Sequence, residues 1–172
     1  MRIAFFELEG WENHLILKEF PTHEVYLSRN KLTPDEIPSD TGFEALSVFV
    51  DSRLTADVIA KFPNLKFIAT RSTGYDHIDI AACKARGIVV SYVPGYGDNT
   101  VAEFAFGLLL ALTRKVYLGA ERVKEHGSFS LEGLRGVDLL GRTIGVIGTG
   151  RIGRHALRIA QGFGMRIVAY DL

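Results

Sequence analysis

Thr143-Ile-Gly-Val-Ile147-Gly148-Thr-Gly150-Arg-Ile-Gly153-Arg-His-Ala156-Leu-Arg-Ile159-Ala160-Gln-Gly-Phe163-Gly-Met-Arg166-Ile-Val-Ala-Tyr170-Asp171-Leu172 is the stretch that decides the fold. It opens on a short apolar run, Thr143–Ile147, which reads as a buried strand. Glycines follow at the spacing G-x-G-x-x-G, and then Ile152, Ala156, Ile159, Ala160 and Phe163 recur at helical intervals. A second apolar run, Arg166–Tyr170, ends on the acid Asp171. Glycine makes up 18 of the 172 residues, so the glycine spacing alone carries little weight. The order strand, glycine turn, helix, strand and acid carries the reading.

Each position in that order has a physical reason. Gly148 permits a tight strand-to-helix turn, Gly150 lets backbone N–H groups approach a pyrophosphate, and Gly153 lets helix and strand pack closely. A pyrophosphate would rest on the helix N-terminus, where unpaired N–H donors favour an anion. Asp171 would accept hydrogen bonds from the adenosine ribose hydroxyls and repel a 2′-phosphate, which favours NAD over NADP. The stretch therefore reads as the first βαβ unit of a Rossmann domain. The competing reading is an ordinary αβ unit whose glycine turn holds no nucleotide.

Working back towards the N-terminus, short apolar runs at Arg2–Phe6, Glu24–Leu27, Ala45–Val50, Lys66–Thr70 and Ile88–Ser91 read as strands. Amphipathic stretches at Trp11–Phe20, Ala56–Phe62 and Ile80–Ala85 lie between several of them. Such alternation predicts a parallel sheet covered by helices on both faces. Thr55 and Asp76 are expected helix caps, Gly87 a left-handed terminator, and Lys31–Thr41 a loop with at most one helical turn. From Thr100 the apolar residues Val101, Phe104, Ala105, Leu108, Leu109 and Leu112 predict a long helix to Lys124, with a kink near Gly119. The expected division is a first domain at 1–99 and, at 100–172, a bridging helix with the start of a second.

Composition narrows the partners. Twenty basic side chains balance twenty acidic ones, so nothing points to nucleic acid or an anionic membrane surface. Cys83 is the single cysteine, which excludes an internal disulfide and fits a reducing compartment. Glu7 and Glu9 interrupt the region where a secretory signal would need an apolar run, so the expected location is cytoplasmic. The longest apolar run, Phe104–Leu112, is about half the ~20 residues that span a bilayer and predicts a buried helix. A small molecule is the expected partner, and His14, His23, His126 and His155 show no metal spacing.

Three segments in order carry a resemblance: Arg71-Ser-Thr-Gly-Tyr-Asp-His-Ile-Asp79, Val93-Pro-Gly-Tyr-Gly-Asp-Asn-Thr-Val-Ala-Glu-Phe-Ala105, and Leu140-Gly-Arg-Thr-Ile-Gly-Val-Ile-Gly-Thr-Gly-Arg-Ile-Gly153. Together they resemble the D-isomer-specific 2-hydroxyacid dehydrogenases. The resemblance implies a flavodoxin-like substrate domain followed by the start of a Rossmann NAD-binding domain. It implies that the backbone at Thr73 and Gly74 binds a substrate carboxylate, where an uncharged turn beyond a strand already offers N–H donors; a simple capped turn is the alternative. Tyr96 resembles a tyrosine that the D-lactate branch sets against its substrate. Thr100 would face the cofactor or merely cap the long helix. With Gly148, Gly150, Arg151, Ile152, Gly153 and Asp171, it completes the cofactor set.

Phe104 departs from the family pattern, which often has histidine there, and His77 reads as a surface residue rather than half of a dyad with Asp79. The arginine, acid and histidine that do the family's catalysis lie further along than these segments reach, so no catalytic residue is assigned. The resemblance thus implies the N-terminal half of an NAD-dependent oxidoreductase interconverting a lactate-like D-2-hydroxy acid and a 2-oxo acid, dimeric when full length. An NAD-responsive binding protein of the same fold and an inactive fragment are the alternatives. Strands Thr143–Ile147 and Arg166–Tyr170 are apolar on both faces, and two such strands do not make a stable sheet alone, which supports the half-protein reading.

Overall fold

A computed structural model describes all 172 residues. The chain forms two compact units, Met1–Tyr96 and Gly97–Leu172. They divide just before the 99/100 boundary expected from the sequence.

The first unit runs β1 (Arg2–Phe5), α1 (Glu12–Glu19), β2 (Glu24–Leu27), β3 (Ala45–Val48), α2 (Ala56–Ala60), β4 (Phe67–Thr70), α3 (Ile80–Ala85) and β5 (Val89–Ser91). Its five strands are all parallel, in the order β2-β1-β3-β4-β5. This is the flavodoxin-like order, and β1 and β3 flank the point where the winding reverses. All four residues of β3 are buried, as a central parallel strand covered on both faces requires. On one face Leu46, Val48 and Ile68 pack with Val58, Ile59, Phe62 and Cys83. On the other, Ile3, Phe5 and Ala45 pack against Ile16 and Phe20 around α1. Full burial of a side chain such as Phe62 stabilises the unit by about 1.5–3 kcal/mol.

Local signals explain most element ends. Thr55 caps α2 by accepting the Val58 N–H, and Gly87 is left-handed at φ 68°. The cap of α3 is Asp79 and not Asp76: its carboxylate accepts the Ala82 N–H at 2.8 Å. Asp76 lies instead in the turn closed by the Ile78 N–H on the Tyr75 carbonyl. The Lys31–Thr41 loop contains no helical turn; Thr33 and Glu36 form an isolated antiparallel bridge.

The second unit runs α4 (Asp98–Thr113), α5 (Val116–His126), β6 (Thr143–Ile147), α6 (Arg151–Gly162) and β7 (Arg166–Tyr170). β6 and β7 pair in parallel across α6. The expected long helix is broken at Lys115, which is left-handed at φ 53°, and Gly119 lies inside α5. The cause is the returning loop. The Val137 N–H donates to the Thr113 carbonyl at 2.8 Å, capturing an oxygen that a continuing helix would need, and Arg114 pairs with Asp138. Nor is α4 the buried helix expected from its apolar run. Ala102 and Phe106 are buried, with Phe106 stacked on Phe163 at 5.8 Å, while Phe104, Leu108 and Leu112 are exposed. The helix is apolar around more of its circumference than its neighbours cover.

Candidate functional site

In the first unit the site is built at the carboxyl edge of the sheet, where ligands of open α/β sheets bind. β4 ends at Thr70, and the chain turns through Ser72, Thr73 and Gly74. Two bonds tie this turn to the loop that leads to Tyr96: the Val93 N–H donates to the Ser72 carbonyl at 3.0 Å, and the Thr73 hydroxyl donates to the Val93 carbonyl at 2.9 Å. The N–H groups of Thr73 and Gly74 donate to no group of the chain, and both residues are exposed. Two adjacent unpaired donors make a cradle for an anionic oxygen. Tyr96 is exposed in the same unit.

Two residues that sequence reasoning passed over organise this edge. Glu7, just beyond β1, has φ 56°, an uncommon conformation for a residue with a side chain. Its carboxylate accepts the N–H groups of Phe49, Asp51 and Ser52 at 2.8, 2.7 and 3.1 Å, as well as the Ser52 hydroxyl. Those bonds fix the loop after β3 against the end of β1 and offset the strain. Arg71, just beyond β4, donates to the carbonyls of Phe6 and Glu7 at 2.9 and 2.8 Å and to the Ser47 hydroxyl at 3.2 Å. Burial lowers its pKa, while Glu12 and Glu7 oppose that shift. The available signal was position: both are charged residues placed directly after an apolar strand.

His77 is half-buried rather than a surface residue. Its Nε2 lies 3.1 Å from the Thr70 hydroxyl. Asp79 is engaged as the α3 cap and forms no pair with it. A cavity of about 560 Å³ in this unit lies among Tyr75, Ile80, Cys83, Val89 and Tyr92. Burial pushes the Cys83 thiol up, which keeps it protonated and unreactive.

In the second unit the site is the turn between β6 and α6. Gly148 has φ 91°, and its N–H extends the strand pairing to the Tyr170 carbonyl at 2.8 Å. A Cβ at Gly153 would collide with the Gly148 carbonyl, whereas one at Gly150 would meet nothing within 4 Å. The first intrahelical donor is the Arg154 N–H, bonded to the Gly150 carbonyl, so the N–H groups of Arg151, Ile152 and Gly153 are unpaired. This open helix N-terminus beyond the Gly148-Thr149-Gly150 turn fits a pyrophosphate. Asp171 is brought against the turn: its Oδ2 accepts the Thr149 N–H at 2.6 Å and hydroxyl at 2.5 Å, which hold its pKa below the ordinary carboxylate value. Its Oδ1 accepts the Leu172 N–H at 2.9 Å, and since a carboxylate has about four lone-pair sites, room remains for one ribose hydroxyl. The Arg151 side chain pairs with Asp98 at 2.7 Å, leaving only its backbone to the turn. Thr100 lies within the first turn of α4, whose N-cap is Gly97, and so does not cap that helix. No group of His, Cys, Asp and Glu residues is placed to hold a metal ion, and no helix is long and apolar enough to cross a membrane.

A flavodoxin-like sheet with two unpaired N–H donors at its carboxyl edge and a Rossmann-type βαβ unit with an open glycine turn define a two-unit α/β protein. The chain belongs to the D-isomer specific 2-hydroxyacid dehydrogenases, whose catalytic domain matches residues 8–161. It is 39% identical over 142 residues to the D-lactate dehydrogenase of Escherichia coli K12, covering 81% of this chain and 43% of that protein. It is 39% identical over 169 residues to an aromatic 2-oxoacid reductase of Clostridium sporogenes, covering 96% and 50%. A solved structure of D-lactate dehydrogenase from Aquifex aeolicus, complexed with NAD and lactic acid, superposes with a TM-score of 0.88 at 31% identity, covering 99% and 51%. The chain spans about half the length of the curated relatives it matches.

Proposed function

We propose that this chain supplies the carboxylate-binding turn and the adenosine-side NAD site of an oxidoreductase that interconverts a D-2-hydroxy acid and a 2-oxo acid. The observation that carries the reading is the pair of unpaired N–H donors at Thr73 and Gly74, on the carboxyl edge of the sheet in a chain of this family. Thr73 and Gly74 bind the carboxylate, and Tyr96 closes on a small, lactate-like side chain. The Gly148–Gly153 turn holds the pyrophosphate on the N–H groups of Arg151, Ile152 and Gly153, and Asp171 holds the ribose; Thr100 faces the nicotinamide side. NAD supplies a hydride acceptor at its nicotinamide ring. The hydroxyl proton needs a base, and none of these residues takes that role. We therefore read the chain as the N-terminal half of a longer enzyme, cytoplasmic and homodimeric through the α4–α5 region, and as inactive by itself.

The test is calorimetry with NAD and NADP on the protein and on Asp171→Ala. The substitution is expected to weaken NAD and narrow its advantage over NADP, since each charge-assisted bond to the ribose contributes about 1.5–3 kcal/mol. Unchanged discrimination removes Asp171 from the cofactor site, and no NAD binding by the unaltered chain defeats the reading as a whole. NADH oxidation with pyruvate by the 172 residues alone would overturn the inactive-half assignment.

A further inference from the structure

Beneath the Thr73–Gly74 turn runs a chain of side-chain contacts. His77 Nε2 lies 3.1 Å from Thr70 Oγ1, Thr70 Oγ1 lies 2.6 Å from Ser72 Oγ, and Ser72 Oγ lies 2.6 Å from the Gly74 carbonyl oxygen. Thr70 and Ser72 are buried, which shields these contacts from bulk solvent. Proton counting fixes the direction of every bond. The Gly74 oxygen can only accept, so the single Ser72 hydroxyl proton goes to it. Ser72 must then accept from Thr70, which spends the single Thr70 proton. Thr70 can therefore only accept from His77, and His77 Nε2 must carry a hydrogen. Three contacts need three protons, and the two hydroxyls supply two.

The recipient of this relay is the least constrained residue of the turn. Gly74 has no side chain to restrict φ and ψ, and a Cβ there would find nothing closer than Asp76 Oδ2 at 3.8 Å. The bonds to Val93 restrain Ser72 and Thr73, not Gly74. The Ser72 hydroxyl on the Gly74 carbonyl fixes the Gly74–Tyr75 peptide and so restrains the end of the turn that carries the Thr73 and Gly74 N–H groups. We infer that His77 is a positioning residue that, as the Nε2–H tautomer, sets the substrate-carboxylate turn through Thr70 and Ser72. The inference rests on the carboxylate reading of Thr73 and Gly74.

Two measurements on the ¹⁵N-labelled chain test it. Long-range ¹H–¹⁵N correlation of the imidazole is expected to show His77 as the Nε2–H tautomer at neutral pH; an Nδ1–H tautomer overturns the relay without reference to any ligand. Titration with pyruvate, followed at the Thr73 and Gly74 amides, is expected to give binding that weakens about tenfold in His77→Leu, the loss of one buried hydrogen-bonded link. His77→Gln, which keeps an N–H donor at that reach, is expected to retain most of the affinity. Ser72→Ala removes the last donor without a large volume change and is expected to weaken binding as His77→Leu does, so the result does not depend on one variant folding. Undiminished pyruvate affinity in His77→Leu or Ser72→Ala, with the amide shifts intact, overturns the relay and leaves the carboxylate reading standing. No shift at Thr73 and Gly74 in the unaltered chain overturns both.

Discussion

The residues that shape the first site act by ordering backbone rather than by facing outward. Glu7 spends its carboxylate on the loop after β3, and Arg71 spends its guanidinium on the carbonyls after β1. His77 belongs to the same group, and its titration gives a measurable signature. Burial holds its pKa below the ordinary 6.5, against an upward pull from Glu7 and Asp76. As pH falls below 6.5 the unfolded chain takes up a proton at this position before the folded chain does. The contribution to stability is fully present above 6.5 and is lost as pH falls from there through the folded value. Denaturant melts on either side of pH 6.5 are therefore expected to show a smaller acid-side loss for His77→Gln than for the unaltered chain. An identical loss in both would place the acid sensitivity elsewhere.

At the scale of elements, periodicity and caps made most of the first unit legible, because strands alternating with amphipathic helices have few other ways to bury their apolar faces. The βαβ unit was legible for the same reason. What escaped was decided by contacts distant in sequence. The helix break falls at Lys115 and not at Gly119 because Val137 captures the Thr113 carbonyl, and no local pattern foretells that. The buried side of α4 is chosen by Phe163, some fifty residues on, so the apolar stripe alone pointed to the wrong face. At the site, the turn glycines Gly148 and Gly153 could be read because each suits a backbone task, whereas the relay from His77 depends on two ordinary hydroxyls. Two glycines of α6 show how position decides. Gly153→Ala sets a Cβ against the Gly148 carbonyl, which cannot move without opening the turn, and is expected to cost about 1–3 kcal/mol in chemical denaturation and to abolish NAD binding. Gly162→Ala, with nothing within 4 Å and a helical backbone, is expected to stabilise by about 0.5–1 kcal/mol. Equal effects of the two would remove the close helix–strand approach as the reason for Gly153.

Over the whole chain the buried core is unevenly shared. Both clusters of buried apolar residues belong to the first unit, while the second buries only Ala102, Phe106, Leu139 and Ala160 among its apolar residues. In β6 and β7, Ile147 is 88% exposed and Val168 and Tyr170 about 60%, on strands whose composition suits burial on both faces. A two-stranded sheet covered by one helix is marginal in water, and local opening follows local burial. Hydrogen exchange of the 172-residue chain is therefore expected to protect β3 and β4 strongly and to leave β6 and β7 exchanging far faster, with the β6–β7 amides insensitive to a destabilising core substitution such as Phe62→Ala. The same β6–β7 amides should slow when NAD is added, because ligand held on the turn at Gly148 and Asp171 joins the ends of both strands. Protection of β6 and β7 equal to that of β3 and β4, without NAD, would mean that their apolar faces are already covered; a rise in sedimentation coefficient with concentration would then identify a second copy of the chain as the cover.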